Sequence, residues 1–314
     1  MGMFNKSDKE LTVFEKQEKL RKRLTGFVSR DYYYLIEGFN NPNNNQMFFI
    51  PNSFPKKYKM DILKFIGTVC YEKDINYNLF YNNIKTLSIK ERSVFDRCKD
   101  YIAKEENKCD YSGRYSVREN RILLNLDQSL THELFHAASS FVDHNGPHSG
   151  FIQKKIGVGL TEGFTTLYDV RYFNRDDYNP FYLLLSNFAR IIEIIVGERK
   201  VKELYFSSDL KGLVDEISKY CDSKIVIDTI SMMDTIKLYC KHYYMYTANE
   251  KECNTFIKYI YKRLYYMYLK KKQICGFGDV ESHKDDMEVA SLMIFNDVNP
   301  LKFEDVERLV KIKK

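Results

Sequence analysis

At 314 residues the chain is long enough for one large domain or two ordinary ones with a sizeable core. Apolar residues make up 44% and charged residues 29%, which excludes collagen-like, fully disordered and coiled-coil proteins. The balance of 49 Lys and Arg against 43 Asp and Glu leaves +6, too weak over this length to imply a nucleic-acid partner.

The first stretch, 1–23, is charged throughout and has no apolar run of the kind a secretory signal needs. Residues 8–25 mix charge with Leu11, Phe14, Leu20 and Leu24, the pattern of an amphipathic helix. A polar loop at 40–45 and a short apolar strand at 46–50, stopped by Pro51, follow. Residues 58–70 and 87–107 read as helices, and 109–113 as a turn.

From 114 to 126, Tyr115, Val117, Ile122, Leu124 and Leu126 alternate with polar residues, which predicts a strand or hairpin turning at Glu119-Asn120. Asp127 is placed to cap a helix over 128–142, with Leu130, Leu134, Ala137, Ala138 and Phe141 on its apolar face. Asn145-Gly146-Pro147 ends it. Beyond 179 the pattern is nearly all helical, over 180–197, 209–221, 225–245, 252–272 and 303–313. This shift suggests a mixed part over 1–179 and a helical part over 180–314, or one domain containing both.

Seven cysteines stand at 70, 98, 109, 221, 240, 253 and 275, an odd number with no C-x-x-C pair. Reduced thiols in a cytoplasmic setting fit this better than disulfides or a cysteine-built metal site. No apolar run reaches the roughly 18 residues of a membrane span, so no membrane partner is expected. The oligomeric state is not legible. Gly276-Phe277-Gly278 is a lone G-x-G without a preceding strand, too little for a nucleotide site.

One constellation carries chemistry. His132, Glu133 and His136 form H-E-x-x-H. Four helical residues advance about 400°, so the two imidazoles lie one above the other and can share one tetrahedral Zn²⁺. Glu133, one step round, can reach a water at that ion and is placed as general base. The bland alternative is a surface helix with two exposed histidines. A third ligand cannot come from H-E-x-x-H-x-x-G-x-x-H, because Ser139 and Val142 stand where Gly and His are required. Glu162, in Gly159-Leu160-Thr161-Glu162-Gly163, follows His136 by 26 residues, enough for a loop and a second helix. A carboxylate favoured by a helix dipole would explain the same residue.

The runs T-H-E-L-F-H-A-A-S-S and G-V-G-L-T-E-G-F resemble the gluzincin group of zinc metallopeptidases. More narrowly, they are similar to intracellular bacterial proteins with H-E-[LF]-x-H-A-A-S and G-L-N-E-G-[YF]-T. The resemblance covers about residues 113–173. It implies an α+β, zincin-like fold: a small mixed sheet with the H-E-x-x-H helix, then a mostly helical part. It implies one Zn²⁺ per chain on His132, His136 and Glu162, Glu133 as catalytic base, and a peptide or protein substrate. Two positions depart from the pattern. Thr161 stands where Asn is usual, and Thr166 where an acidic partner of a ligating histidine is common; Asp169 is the substitute at hand. A catalytically weak or inactive zincin-fold binding protein is the alternative reading. Tyr172, Tyr168, His144 and His148 are the expected oxyanion donors, and the strand at 121–126 the expected edge for an extended peptide.

Overall fold

The computed structural model describes residues 54–70, 77–93, 113–173, 175, 178, 180–244 and 250–275. The expected helices at 8–25 and 303–313, the strand at 46–50 and the G-x-G at 276–278 lie outside them. A 3-10 turn, Lys56–Tyr58, leads into α1 (Lys59–Cys70), α2 (Tyr77–Thr86), β1 (Ser88–Glu91), β2 (Gly113–Ser116) and β3 (Arg121–Leu124). A second 3-10 turn, Asp127–Ser129, enters α3 (Leu130–Ala138), then β4 (Ser140–Asp143) and β5 (Gly146–Ser149). Six helices follow: α4 (Val158–Phe173), α5 (Pro180–Val196), α6 (Glu198–Phe206), α7 (Leu210–Ser218), α8 (Ser223–Tyr244) and α9 (Glu250–Cys275). The architecture is α+β, mostly helical, with small sheets.

The three-stranded sheet has the order β1-β3-β2 and is mixed, parallel between β1 and β3 and antiparallel between β2 and β3. The expected hairpin is present. Asn120 takes φ +43° at its turn, a conformation Asn tolerates, and its side chain is tied to the Tyr115 hydroxyl and the Asn83 carbonyl. The helix expected over 87–107 is corrected at its start. Residues 88–91 are β1, and Ile89 pairs with Ile122 in the sheet. Strand pairing across more than 30 residues is a tertiary contact that a local charge pattern does not report.

The helix expected over 128–142 also ends early, at Ala138. Its last carbonyls are taken by side chains: Ser139 Oγ donates to Phe135 O at 3.0 Å and Asn83 Nδ2 to Ala137 O at 2.8 Å. Phe141 and Val142 then belong to a hairpin that reverses at Gly146, φ +112°. At the other end Ser129, not Asp127, holds the N-cap position. Helix α6 was not expected; Gly197, at φ +102°, turns the chain sharply between α5 and α6.

One apolar core runs from Phe54 to Tyr268 and takes in residues on both sides of position 180. Around α3, Phe65 meets Phe80, Phe135 and Phe173. Behind α4, Phe151, Phe164, Tyr168 and Tyr205 pack edge to face or tilted. Across this core lies a buried ionic group. Arg171 of α4 grips Glu193 of α5 with two bonds, 2.8 and 2.6 Å, and Arg190 reaches the same carboxylate. Burial pushes Glu193 up, but the two guanidinium groups outweigh it and hold its pKa at about 2. A carboxyl depressed in the folded state stabilises it above its ordinary value of 4.5 and loses that contribution as pH falls towards 2. Urea unfolding at pH 5, 4 and 3 is expected to show stability falling across this window in the parent, with a smaller fall in Glu193→Gln.

Candidate metal centre

Helix α3 is buried on nearly every face. Leu134, Phe135, Ala137 and Ala138 are at most 1% exposed, while His132, Glu133 and His136 are 6–8% exposed. Three ionisable groups this deep need partners, since a lone buried charge is costly. They find one another and Glu162. His136 Nε2 lies 3.3 Å from His132 Nε2; Glu162 Oε2 lies 3.2 Å from His132 Nε2 and 3.7 Å from His136 Nε2. Glu162 is the only residue from Gly159 to Tyr172 on α4 that is not buried, so its carboxylate stands where the cluster opens.

These separations suit a metal. A tetrahedral ion with ligands about 2.0–2.1 Å away sets its donors roughly 3.3–3.4 Å apart. The tautomer suits it too. Burial and the adjacent Asp169 carboxylate push the Tyr178 phenol well above its ordinary value, so it keeps its proton. It donates that proton to Asp169 Oδ2 and must therefore accept from His132 Nδ1, 2.8 Å away. This leaves the His132 lone pair on Nε2, facing the cluster. Burial pulls the His132 pKa down, yet Glu162, Glu133 and Asp169 together hold it above its ordinary value. The same carboxylates that raise it would attract a metal cation. His132, His136 and Glu162 could therefore hold a metal ion.

Glu133 stands beside the three ligands, with its carboxylate against β2. The Tyr115 backbone N–H donates to its carboxylate, and burial pushes its pKa up against the pull of His132 and His136. A Cβ on Gly113 would lie 2.9 Å from Glu133 Oε1 and 2.6 Å from Ser129 Oγ, so a side chain there would displace the Glu133 carboxylate.

The other predicted site residues fall elsewhere. Tyr168 and Tyr172 are buried in the aromatic core, Tyr168 stacked on Phe206 and Tyr172 beside Lys202. His144 is exposed at the tip of the β4–β5 hairpin, and His148 pairs with Asp143 at 2.9 Å within it. The contacts described for Tyr168 and His148 are with Phe206 and Asp143, not with the three ligands. Strand β3 is also corrected as a peptide edge, because both of its sides are already paired. Thr161 accepts from the Phe151 N–H at 2.8 Å and fastens the loop before α4. Thr166 is buried with no hydrogen-bond partner among the described residues, and an acidic group reaches His132 instead from Asp169 through Tyr178. Arg175 steadies that link, 3.3 Å from Asp169 Oδ2 and over the Tyr178 ring.

Sequence reasoning missed Tyr178 and Tyr182, whose rings flank His132 at 5.6 and 5.9 Å. The available signal was weak: two tyrosines four apart around Pro180, at a helix start.

No family model, curated protein or solved structure matches the chain.

Among the described residues no helix is long and apolar enough to cross a membrane. Cys221, Cys253 and Cys275 are free thiols.

Proposed function

We propose that the chain is a zinc-dependent peptidase with a zincin-like catalytic part. The observation that carries this reading is the meeting of His132 Nε2, His136 Nε2 and Glu162 Oε2 at 3.2–3.7 Å, with Glu133 buried beside them on the same helix. The residues would hold one Zn²⁺, which when bound acts as a Lewis acid and lowers the pKa of water to about 7. Glu133 takes the proton from the attacking water at a carboxylate oxygen and passes it to the leaving amine. The Tyr115 N–H and the glycine at 113 keep that carboxylate in one orientation. Asp169 and Tyr178 keep the His132 proton on Nδ1. An extended peptide lies along the outer edge of β2, in place of β3. The donor to the developing oxyanion passes to Tyr182, whose half-buried ring meets His132 edge-on. Free cysteines agree with work in a reducing, cytoplasm-like compartment.

The packing of Tyr168 against Phe206 and the pairing of His148 with Asp143 favour one second reading, a zinc-holding binding protein with little or no turnover. Zinc analysis of protein purified without chelators, alongside cleavage of a mixed peptide library, separates the two. The peptidase reading expects one zinc per chain and cleavage abolished by a chelator and restored by zinc. Stoichiometric zinc without cleavage selects the binding protein, and no zinc at all removes both.

Tyr178→Phe removes the hydroxyl between His132 and Asp169. Partners of this kind typically contribute 10–100-fold to metal affinity. Competition with a chromophoric chelator is expected to show zinc held about tenfold or more weakly than in the parent.

A further inference from the structure

The amino end of α4 is closed by a residue from far along the chain. Gly157 occupies its N-cap position, since its carbonyl accepts the Thr161 N–H at 2.9 Å, and it has no side chain to cap with. A side chain there is excluded: φ is +88° and a Cβ would lie 2.2 Å from the Phe151 carbonyl oxygen. Asp234, on α8, does the capping instead. Its Oδ2 accepts the Gly157 N–H at 2.8 Å and its Oδ1 the Gly159 N–H at 2.7 Å. Beside this clamp the two main chains touch: a Cβ on Gly159 would lie 2.3 Å from the Met233 carbonyl oxygen. One turn on, a Cβ on Gly163 would lie 2.5 Å from the Leu185 carbonyl oxygen of α5. Glu162 therefore projects from a helical turn wedged between α8 and α5 and pinned at its start by one carboxylate.

We infer that Asp234 is a positioning residue for the metal centre, holding the first turn of α4 so that Glu162 meets His132 and His136. The inference rests on the metal-centre reading above. Two acceptor oxygens on two backbone donors fix both the axial position and the rotation of that turn. A carboxylate about 6 Å off a helix axis moves about 1 Å for a 10° rotation. Metal–ligand distances tolerate only about 0.2 Å. Small freedom at residue 157 thus becomes a large error at the metal. Asp169, whose chain through Tyr178 orients His132, stands on the same helix two turns further on, so the clamp serves two ligands.

The test is Asp234→Ala, with Asp209→Ala as a matched control. Asp209 caps α7 by accepting the Gly212 N–H at 2.7 Å, the same chemistry on a different helix. Zinc affinity is measured by chelator competition, and the visible spectrum of the cobalt(II)-loaded protein reports ligand geometry. Asp234→Ala is expected to bind zinc at least tenfold more weakly and to change the cobalt spectrum. Asp209→Ala is expected to stay within about twofold of the parent, with the parental spectrum. Asp234→Asn, which keeps one good acceptor, falls between, and it carries the test alone if the alanine variant does not fold. Parental affinity and spectrum in the Asp234 variants would overturn the inference, as would an equal loss in the Asp209 control. A folded parent that binds no zinc overturns the metal centre and this inference together; a parent that binds, with unaffected variants, overturns this inference alone.

Discussion

Glu133→Gln is expected to lower peptide hydrolysis by about 10²–10⁴-fold while leaving the zinc content at the parental level. The substitution is nearly isosteric, so it respects the tight contact with Gly113. Its amide oxygen can still accept the Tyr115 N–H, which keeps the side chain in place. What disappears is the capacity to take a proton. Because Glu133 is not among the three convergent ligands, metal binding does not depend on it. Turnover numbers and metal analysis on one preparation check both halves. A variant that cleaves at the parental rate removes Glu133 as the base.

Arg171→Ala carries the largest expected effect on stability, roughly 3 kcal/mol or more. Glu193 is 1% exposed and loses its bidentate partner, retaining only Arg190. Removing one member of a buried pair leaves a charge that water cannot reach, and the cost comes from that stranded charge more than from the lost attraction. Glu198 loses its contact with Arg171 as well, though it keeps Lys202 at 2.8 Å. Urea denaturation of parent and variant at neutral pH measures the difference. A double variant, Arg171→Met with Glu193→Leu, is expected to recover only part of it, since the apolar pair removes the stranded carboxylate but also takes Glu193 from Arg190.

The legible parts of this protein are those governed by local geometry. H-E-x-x-H could be read because four residues nearly complete one turn, which brings two imidazoles together without help from the rest of the chain. Glu162 could be singled out because it follows His136 by 26 residues, room for a loop and a second helix; the structure explains its neighbours Gly159 and Gly163 as points where α8 and α5 press their backbones against α4. The helices beyond 179 were readable from their apolar spacing, except α6. Other features depend on partners distant in sequence. β1 exists because Ile89 pairs with Ile122, and α3 stops at Ala138 because Asn83, 54 residues earlier, takes its last carbonyl. The tyrosine that orients His132 was hidden among 25 tyrosines, with nothing local to distinguish Tyr178. Asp169, the substitute at hand for an acidic residue at 166, reaches His132 only through a phenol that no spacing rule supplies.

The two glycine contacts flanking Glu162 also bear on which ions the cluster can accept. Calcium asks for six to eight oxygens at about 2.3–2.6 Å in a yielding cage, and magnesium for near-octahedral oxygen. A carboxylate on a turn backed by the carbonyls of Met233 and Leu185 has little room to retreat, and its two companions are nitrogens. With an ion in place, such a cradle would discriminate by stiffness, turning away the abundant hard cations of a cell in favour of a scarcer, nitrogen-loving one.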